Sequence, residues 1–249
     1  ASGRDINPDV LGYIFEQYIN DRAQMGAYYT KEDITEYIGR NTIIPYLLEA
    51  TEKQYPEAFA PHAEFWSFIR SNGQDFIYDA VKKGVNEAIP EEIARGLDPN
   101  TPDLLEQRQR WNNPTPSNLG LPTEIWRETI ARFQRYQEIV DKLQGGGLTS
   151  FNDFITYNLN TPRIAYDFLN TTDDRRFIEV FYGELLRVTI LDPTCGSGAF
   201  LFAALNLLEP LYEVCISRME EFNAQDPNAF KEQLAEIKNY CCPVKLPRA

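Results

Sequence analysis

Among segments that otherwise repeat with helical period, only Val188-Thr189-Ile190-Leu191 reads as a strand, and it runs into Asp192-Pro193 and a glycine turn. A chain with one such run cannot build a sheet from its own readable strands. The expected fold class is therefore mainly α, with a single strand–turn–helix unit near residue 190. The helix after that turn is the longest in prospect, from Leu201 to Phe222.

Upstream, Pro8 sits at the first position of a helix starting at Asn7, whose stripe is Val10, Leu11, Ile14, Phe15, Tyr18 and Ile19 and which ends at Gly26. A second helix is expected after Thr30, with Thr30 as cap, Asp33 reaching back to it, and Ile34, Tyr37 and Ile38 as the buried face. Pro45 should mark a break or a fresh start. Aromatic residues between Tyr55 and Val85 suggest short helices, and the prolines at 90, 99, 102, 114, 116 and 122 mark residues 86–122 as a long connection. Thr123 is the expected cap of a helix reaching Leu143 and stopped by Gly145-Gly146-Gly147. Ser150 with Asp153 predicts another start, and Arg176 to Leu186 reads as one more helix. The organisation expected is a first helical segment over 1–50, an accessory helical region with its proline-rich connection over 51–147, and the unit with the glycine turn over 148–249.

Charge narrows the partners. With 24 Lys+Arg against 37 Asp+Glu the chain has a formal charge of -13, which repels a phosphate backbone. Nucleic acid is not an expected partner of this acidic stretch alone. The four cysteines have no CxxC spacing and His62 is the one histidine, so no metal site is expected. No leader is recognised in the first residues and no apolar run reaches the length of a membrane span, so the expected setting is cytoplasmic.

The turn Asp192-Pro193-Thr194-Cys195-Gly196-Ser197-Gly198-Ala199-Phe200 is where ligand chemistry would sit. Glycines admit a close approach to the backbone, the helix start presents free N–H groups to a carboxylate, and Asp192 can accept from an ammonium group. A ligand with both groups, as methionine has, suits that pairing. The spacing fits neither a phosphate-binding P-loop, for want of Gly-Lys-Ser/Thr, nor the GxGxxG dinucleotide turn, since Phe200-Leu201 replaces the third glycine.

This string resembles motif I of the amino-group DNA methyltransferases. Its continuation Leu201-Phe202-Ala203-Ala204-Leu205 resembles the large adenine methyltransferases of the restriction-linked and BREX-type phage-defence groups. Leu11 to Tyr18 followed by Gly26-Ala27-Tyr28-Tyr29-Thr30 is similar to their motif X region, where the Tyr-Thr turn packs on the methionine end of the cofactor. The resemblance implies a Rossmann-like domain of which the first strand and glycine turn are present, a half-site for S-adenosylmethionine, and transfer of a methyl group to adenine N6 in DNA. The cofactor residues it implies are Tyr28, Tyr29, Thr30, Asp192, Pro193, Thr194, Gly196, Gly198 and Phe200. The family's catalytic Asn/Asp-Pro-Pro-Tyr/Phe turn is not found after residue 200, nor is the acidic residue for the ribose, so no catalytic residue is assigned and inactivity of the chain by itself is expected. A shortened family member is the expectation; the alternatives are a fragment of a protein or RNA methyltransferase, or a non-enzymatic helical interaction module with a vestigial turn. A lone strand beside an apolar helix also suggests self-association through this region, or else remodelling of the strand as a loop packed on the helices.

Overall fold

The computed structural model describes Ile14, Tyr18, residues 30–196 and residues 198–241, with the side chains of 238–241 left out. The helices of at least six residues are α1 Glu32–Gln54, α2 Glu64–Asn72, α3 Trp126–Gln144, α4 Phe151–Thr156, α5 Thr161–Thr171, α6 Arg175–Arg187, α7 Ala199–Gln225 and α8 Lys231–Cys241. Single helical turns lie between α1 and α3. No strand occurs among the described residues; Pro114 and Ile125 form one isolated antiparallel bridge. The helix expected from Asn7 falls outside the described residues apart from Ile14 and Tyr18.

The chain divides into two compact units, one of residues 1–65 with 161–249 and the other of residues 66–160. This division differs from boundaries near 50 and 147, because α5, α6 and α7 pack on α1 across the sequence. In the first unit, Phe65 meets Phe168 edge-on at 5.0 Å between ring centroids, and Phe168 meets Phe177 edge-on at 4.9 Å. These contacts join Phe65 to α5 and α6. Asp174 accepts from the N–H groups of Arg176 and Phe177 and so starts α6, while its other oxygen accepts from the Tyr55 hydroxyl at 3.0 Å. Burial first, and then that bond to Asp174, raise the Tyr55 pKa above its ordinary value.

Helix α1 departs from expectation in three respects. Lys31 rather than Thr30 is its N-cap, without a side-chain bond. Ile34, Tyr37 and Ile38 are exposed, and the buried face is instead Thr35, Gly39, Ile43, Ile44, Leu47, Leu48 and Thr51. Pro45 lies inside the helix without ending it. Helical packing on both sides of that proline offsets the one backbone bond it removes.

The second unit wraps the proline-rich stretch around α3. Ile93, Trp111, Leu119, Trp126 and Ile130 form its core, and the Trp111 indole N–H donates to the Ile93 carbonyl at 3.1 Å. The connection over residues 86–122 holds only single helical turns, at Glu91–Ala94, Leu104–Gln107 and Gln109–Asn112, and packs as part of this core. Backbone bonds from Thr115 to Glu124 and from Trp126 to Asn113 staple the stretch to the start of α3. Thr123 has φ 69 and stands outside the helix; Glu128 caps it by accepting from the Ile125 N–H. The start at Ser150 follows the sequence expectation, with Asp153 accepting from the N–H groups of Thr149 and Ser150.

Arg132 ties this unit together. Its guanidinium pairs with Glu124 at 2.9 Å and donates to the carbonyls of Val81, Lys83 and Leu119, with the two side chains only 10% and 14% exposed. The hydrogen bond from Arg132 holds the Glu124 carboxyl below its ordinary pKa, against the opposing effect of partial burial. Replacing Arg132 by Met strands three carbonyls and a carboxylate, and should cost about 3 kcal/mol in urea unfolding. Because the folded Glu124 pKa is depressed, its contribution is present above the unfolded value and lost as pH falls through the folded one. The gap between wild type and Arg132→Met should therefore narrow below about pH 4.

Candidate cofactor site

Helix α6 ends at Arg187, and Val188 leaves it with φ -60 and ψ 131. Residues 188–192 continue without a ladder partner, and Leu191 is 87% exposed. The expected strand is thus neither paired into a sheet nor packed as a loop on the helices.

The glycine turn has a defined geometry. Asp192 Oδ1 accepts from the Thr194 N–H at 3.0 Å and from its hydroxyl at 3.4 Å, an aspartate turn that folds the chain back after Pro193. Gly198 N–H donates to the Cys195 carbonyl at 2.7 Å, and Gly198 is the N-cap of α7, its carbonyl accepting from Phe202 N–H. Gly196 and Gly198 have φ 52 and 84. A Cβ on Gly198 would meet Phe202 at 3.5 Å, an ordinary contact, so conformation rather than space requires glycine there. Ser197 lies outside the described residues. Cys195 is exposed beside the turn, whereas burial pushes the Cys215 thiol upward and makes it inert.

The helices that follow the two sequence matches, α1 after Thr30 and α7 after the glycine turn, pack on one another. A Cβ on Gly39 of α1 would lie 3.0 Å from Leu207 of α7, and Gln54 near the end of α1 lines a cavity with Ile216 and Met219 of α7. Both contacts advance in the same direction, so the helices run parallel. Thr30 and Gly198 each lie nine residues before the Gly39–Leu207 contact (39 - 30 and 207 - 198), which puts them at the same end of the pair. Thr30 is half-buried, as are Asp192 and Phe200, while Pro193, Thr194 and Gly196 are exposed and Gly198 is buried. Tyr28 and Tyr29 lie outside the described residues. The parallel packing was not readable from the sequence, although a glycine in the middle of α1 hinted that something approaches closely there.

Over 50 residues the chain is 48% identical to a protein of Methanocaldococcus jannaschii named "Putative type II restriction enzyme and methyltransferase". The match covers 18% of this chain and 4% of that protein. Part of this chain is therefore related to a restriction-modification methyltransferase. No family model matches the chain, and no solved structure does.

By length and composition alone, α7 could also cross a membrane, contrary to the expectation that no apolar stretch is long enough. It packs against α1, α5 and α6, with 28% of its apolar window buried, and carries Asn206, Glu209 and Glu213 within it. Gly198→Ala, which forces a side chain into the left-handed region, should lower unfolding stability by about 1 kcal/mol while leaving the helical circular dichroism intact. A thermal melt compared with Gly183→Ala, at a helical position where a side chain has room, separates this strain from generic effects.

Proposed function

We propose that this chain carries part of the cofactor site of an S-adenosylmethionine-dependent methyltransferase that acts on adenine N6 in DNA, within the restriction-linked or phage-defence group. The observation that carries this reading is the parallel packing of α1 on α7, which sets Thr30 and the glycine turn at one end of the pair. The donor set suits the methionine part of the cofactor. Backbone N–H groups at the starts of α1 and α7 would take the carboxylate, and Asp192, with Oδ1 held by Thr194, would offer Oδ2 to the ammonium group. Phe200 and the tyrosines at 28 and 29 would cover the ligand. When bound, the cofactor supplies the methyl group. The chain's own residues would hold and orient it.

No Asn/Asp-Pro-Pro-Tyr/Phe string occurs in the 249 residues, so no chemical step is assigned to this chain, and DNA is a partner for the larger family member. Asn113-Pro114, the nearest approach to that string, is taken up by the bridge to Ile125. A helical interaction module with a vestigial turn is the second reading, favoured by the exposure of residues 193–196. The same end of α1 and α7 also leaves Ile34, Tyr37, Ile38, Leu201, Phe202 and Leu205 exposed, which supports association of two copies there.

Calorimetric titration with S-adenosylmethionine should show binding weaker than the low micromolar range, abolished in a folded Gly198→Val variant. No heat at millimolar ligand would favour the interaction module. Tritium transfer to adenine should be undetectable with the chain alone. In light scattering, the mass should rise with concentration, and Phe202→Glu with Leu205→Glu should hold the chain as a monomer.

A further inference from the structure

The start of α3 and the two helical turns over 104–112 line a cavity of about 520 Å³ that lies wholly within the second unit. Arg108 and Arg127 are its ionisable lining residues, and no carboxylate joins them, in a chain of net charge -13. The surrounding unit opposes an anion little. Residues 66–160 carry 10 Lys+Arg against 13 Asp+Glu, so three of those net negative charges fall here (13 - 10) and the rest lie in the other unit.

Arg108 is held in place before any ligand arrives. Its Nε donates to the Gly96 carbonyl at 2.9 Å, and its guanidinium lies over the Trp111 ring, 4.6 Å from the centroid. Trp111 is itself fixed by its indole bond to the Ile93 carbonyl. Gly96 makes the arrangement possible, because a Cβ there would come within 3.0 Å of the Arg108 Cγ and 3.1 Å of the Trp111 ring. The two terminal nitrogens of Arg108 have no acceptor among the described residues. They are donors aimed by packing and left unused.

Arg127 is anomalous in a different way. It is the second residue of α3, where the helix dipole disfavours a positive charge, and it is exposed with no ion pair or hydrogen bond among the described residues. Arg132, one turn further on, is by contrast fully engaged with Glu124 and three carbonyls. The remaining polar lining of the cavity is three amides, Gln109, Asn112 and Gln134, each able to donate. Its apolar part is Ile130 at the base with Ala131 and Leu105 outside it, and Leu105 is 89% exposed.

We propose that this cavity binds a phosphate monoester, with the phosphate between Arg108 and Arg127 and the organic part against Leu105 and Ala131. Two guanidiniums match a group of charge near -2 with three acceptor oxygens, whereas one arginine alone satisfies a carboxylate. The volume suits a ligand of mononucleotide size. This assignment does not depend on the methyltransferase reading, and a probe with neither methionine nor adenine keeps the two apart.

The test is calorimetric titration of the full chain with thymidine monophosphate in phosphate-free buffer at pH 7.5. Binding should be one-to-one, weakened about tenfold by Arg127→Gln and less than about twofold by Lys142→Gln, which removes the same charge 15 positions further along α3 (142 - 127). Helical circular dichroism checks that both variants fold. A second arm needs no variant: with a second phosphate pKa near 6, lowering the pH to 5.5 should weaken binding about fourfold, since both arginines keep their charge. The methyl diester of the same nucleotide should bind about tenfold more weakly at pH 7.5. Absence of saturable heat, equal losses in the two variants, affinity unchanged at pH 5.5, or inorganic phosphate binding as tightly as the ester would each overturn the proposal.

Discussion

The contact between Gly39 and Leu207 is the constraint from which the first unit takes its form. It lets α1 and α7 approach closely, and their parallel course forces the chain between them to return, which α6 does. The return is visible in the side chains: Arg175 at the start of α6 pairs with Asp226 just past α7, and near the other end of α6 the Leu185 carbonyl accepts from Tyr212. Because α6 ends well short of the start of α7, residues 188–198 must climb alongside the first turns of α7. That climb is why the chain is extended there and why the glycine turn sits at the tip of the arrangement beside the start of α1.

The same geometry explains the distribution of exposed apolar residues. Leu211, Val214, Cys215 and Met219 are enclosed by the neighbouring helices, while Leu201, Phe202 and Leu205, above the end of α6, are not. Ala203 and Ala204 in those same turns are buried, on the stripe that continues through Leu211, Val214 and Cys215, so exposure in α7 follows the helical face. In the first turns of α1, Ile34, Tyr37 and Ile38 are open while Thr35 and Gly39 beside them are covered, as are Ile43, Ile44 and Leu47 further on. An apolar surface at one end, next to a turn suited to a carboxylate and an ammonium group, is the physical content of the methyltransferase proposal.

Local chemistry was the legible part of the sequence. Asp153 capping α4 and the triple glycine closing α3 follow from short-range hydrogen bonding and backbone freedom, which neighbouring residues decide. Burial was less legible. In α1 the apolar periodicity picked out Ile34, Tyr37 and Ile38, but the face that packs carries Thr35, Gly39 and Thr51, whose smallness permits close approach to other helices. Thr30 and Thr123 looked like caps by residue type, yet Lys31 and Ile125 hold those positions, because tertiary contacts set where each helix begins. Helix α5 went unread: Thr161-Pro162 suits a helix start, but the Asn-Thr-Pro string reads equally as a turn, and what decides is Phe168 packing between Phe65 and Phe177. At the site, a glycine turn leading into a long helix was readable from its residues, and its place at the same end as the start of α1 was not.

The claim that the two segments form one half-site can be tested by measuring the distance between them. Spin labels at Cys195 and at Thr30→Cys, with Cys241 and Cys242 replaced by Ser, should give one narrow distribution centred below about 25 Å in double electron–electron resonance, since both labels lie at one end of a parallel helix pair about 8–10 Å apart. A distribution centred beyond about 35 Å, the length of α1 itself, would place the glycine turn at the other end and contradict the account.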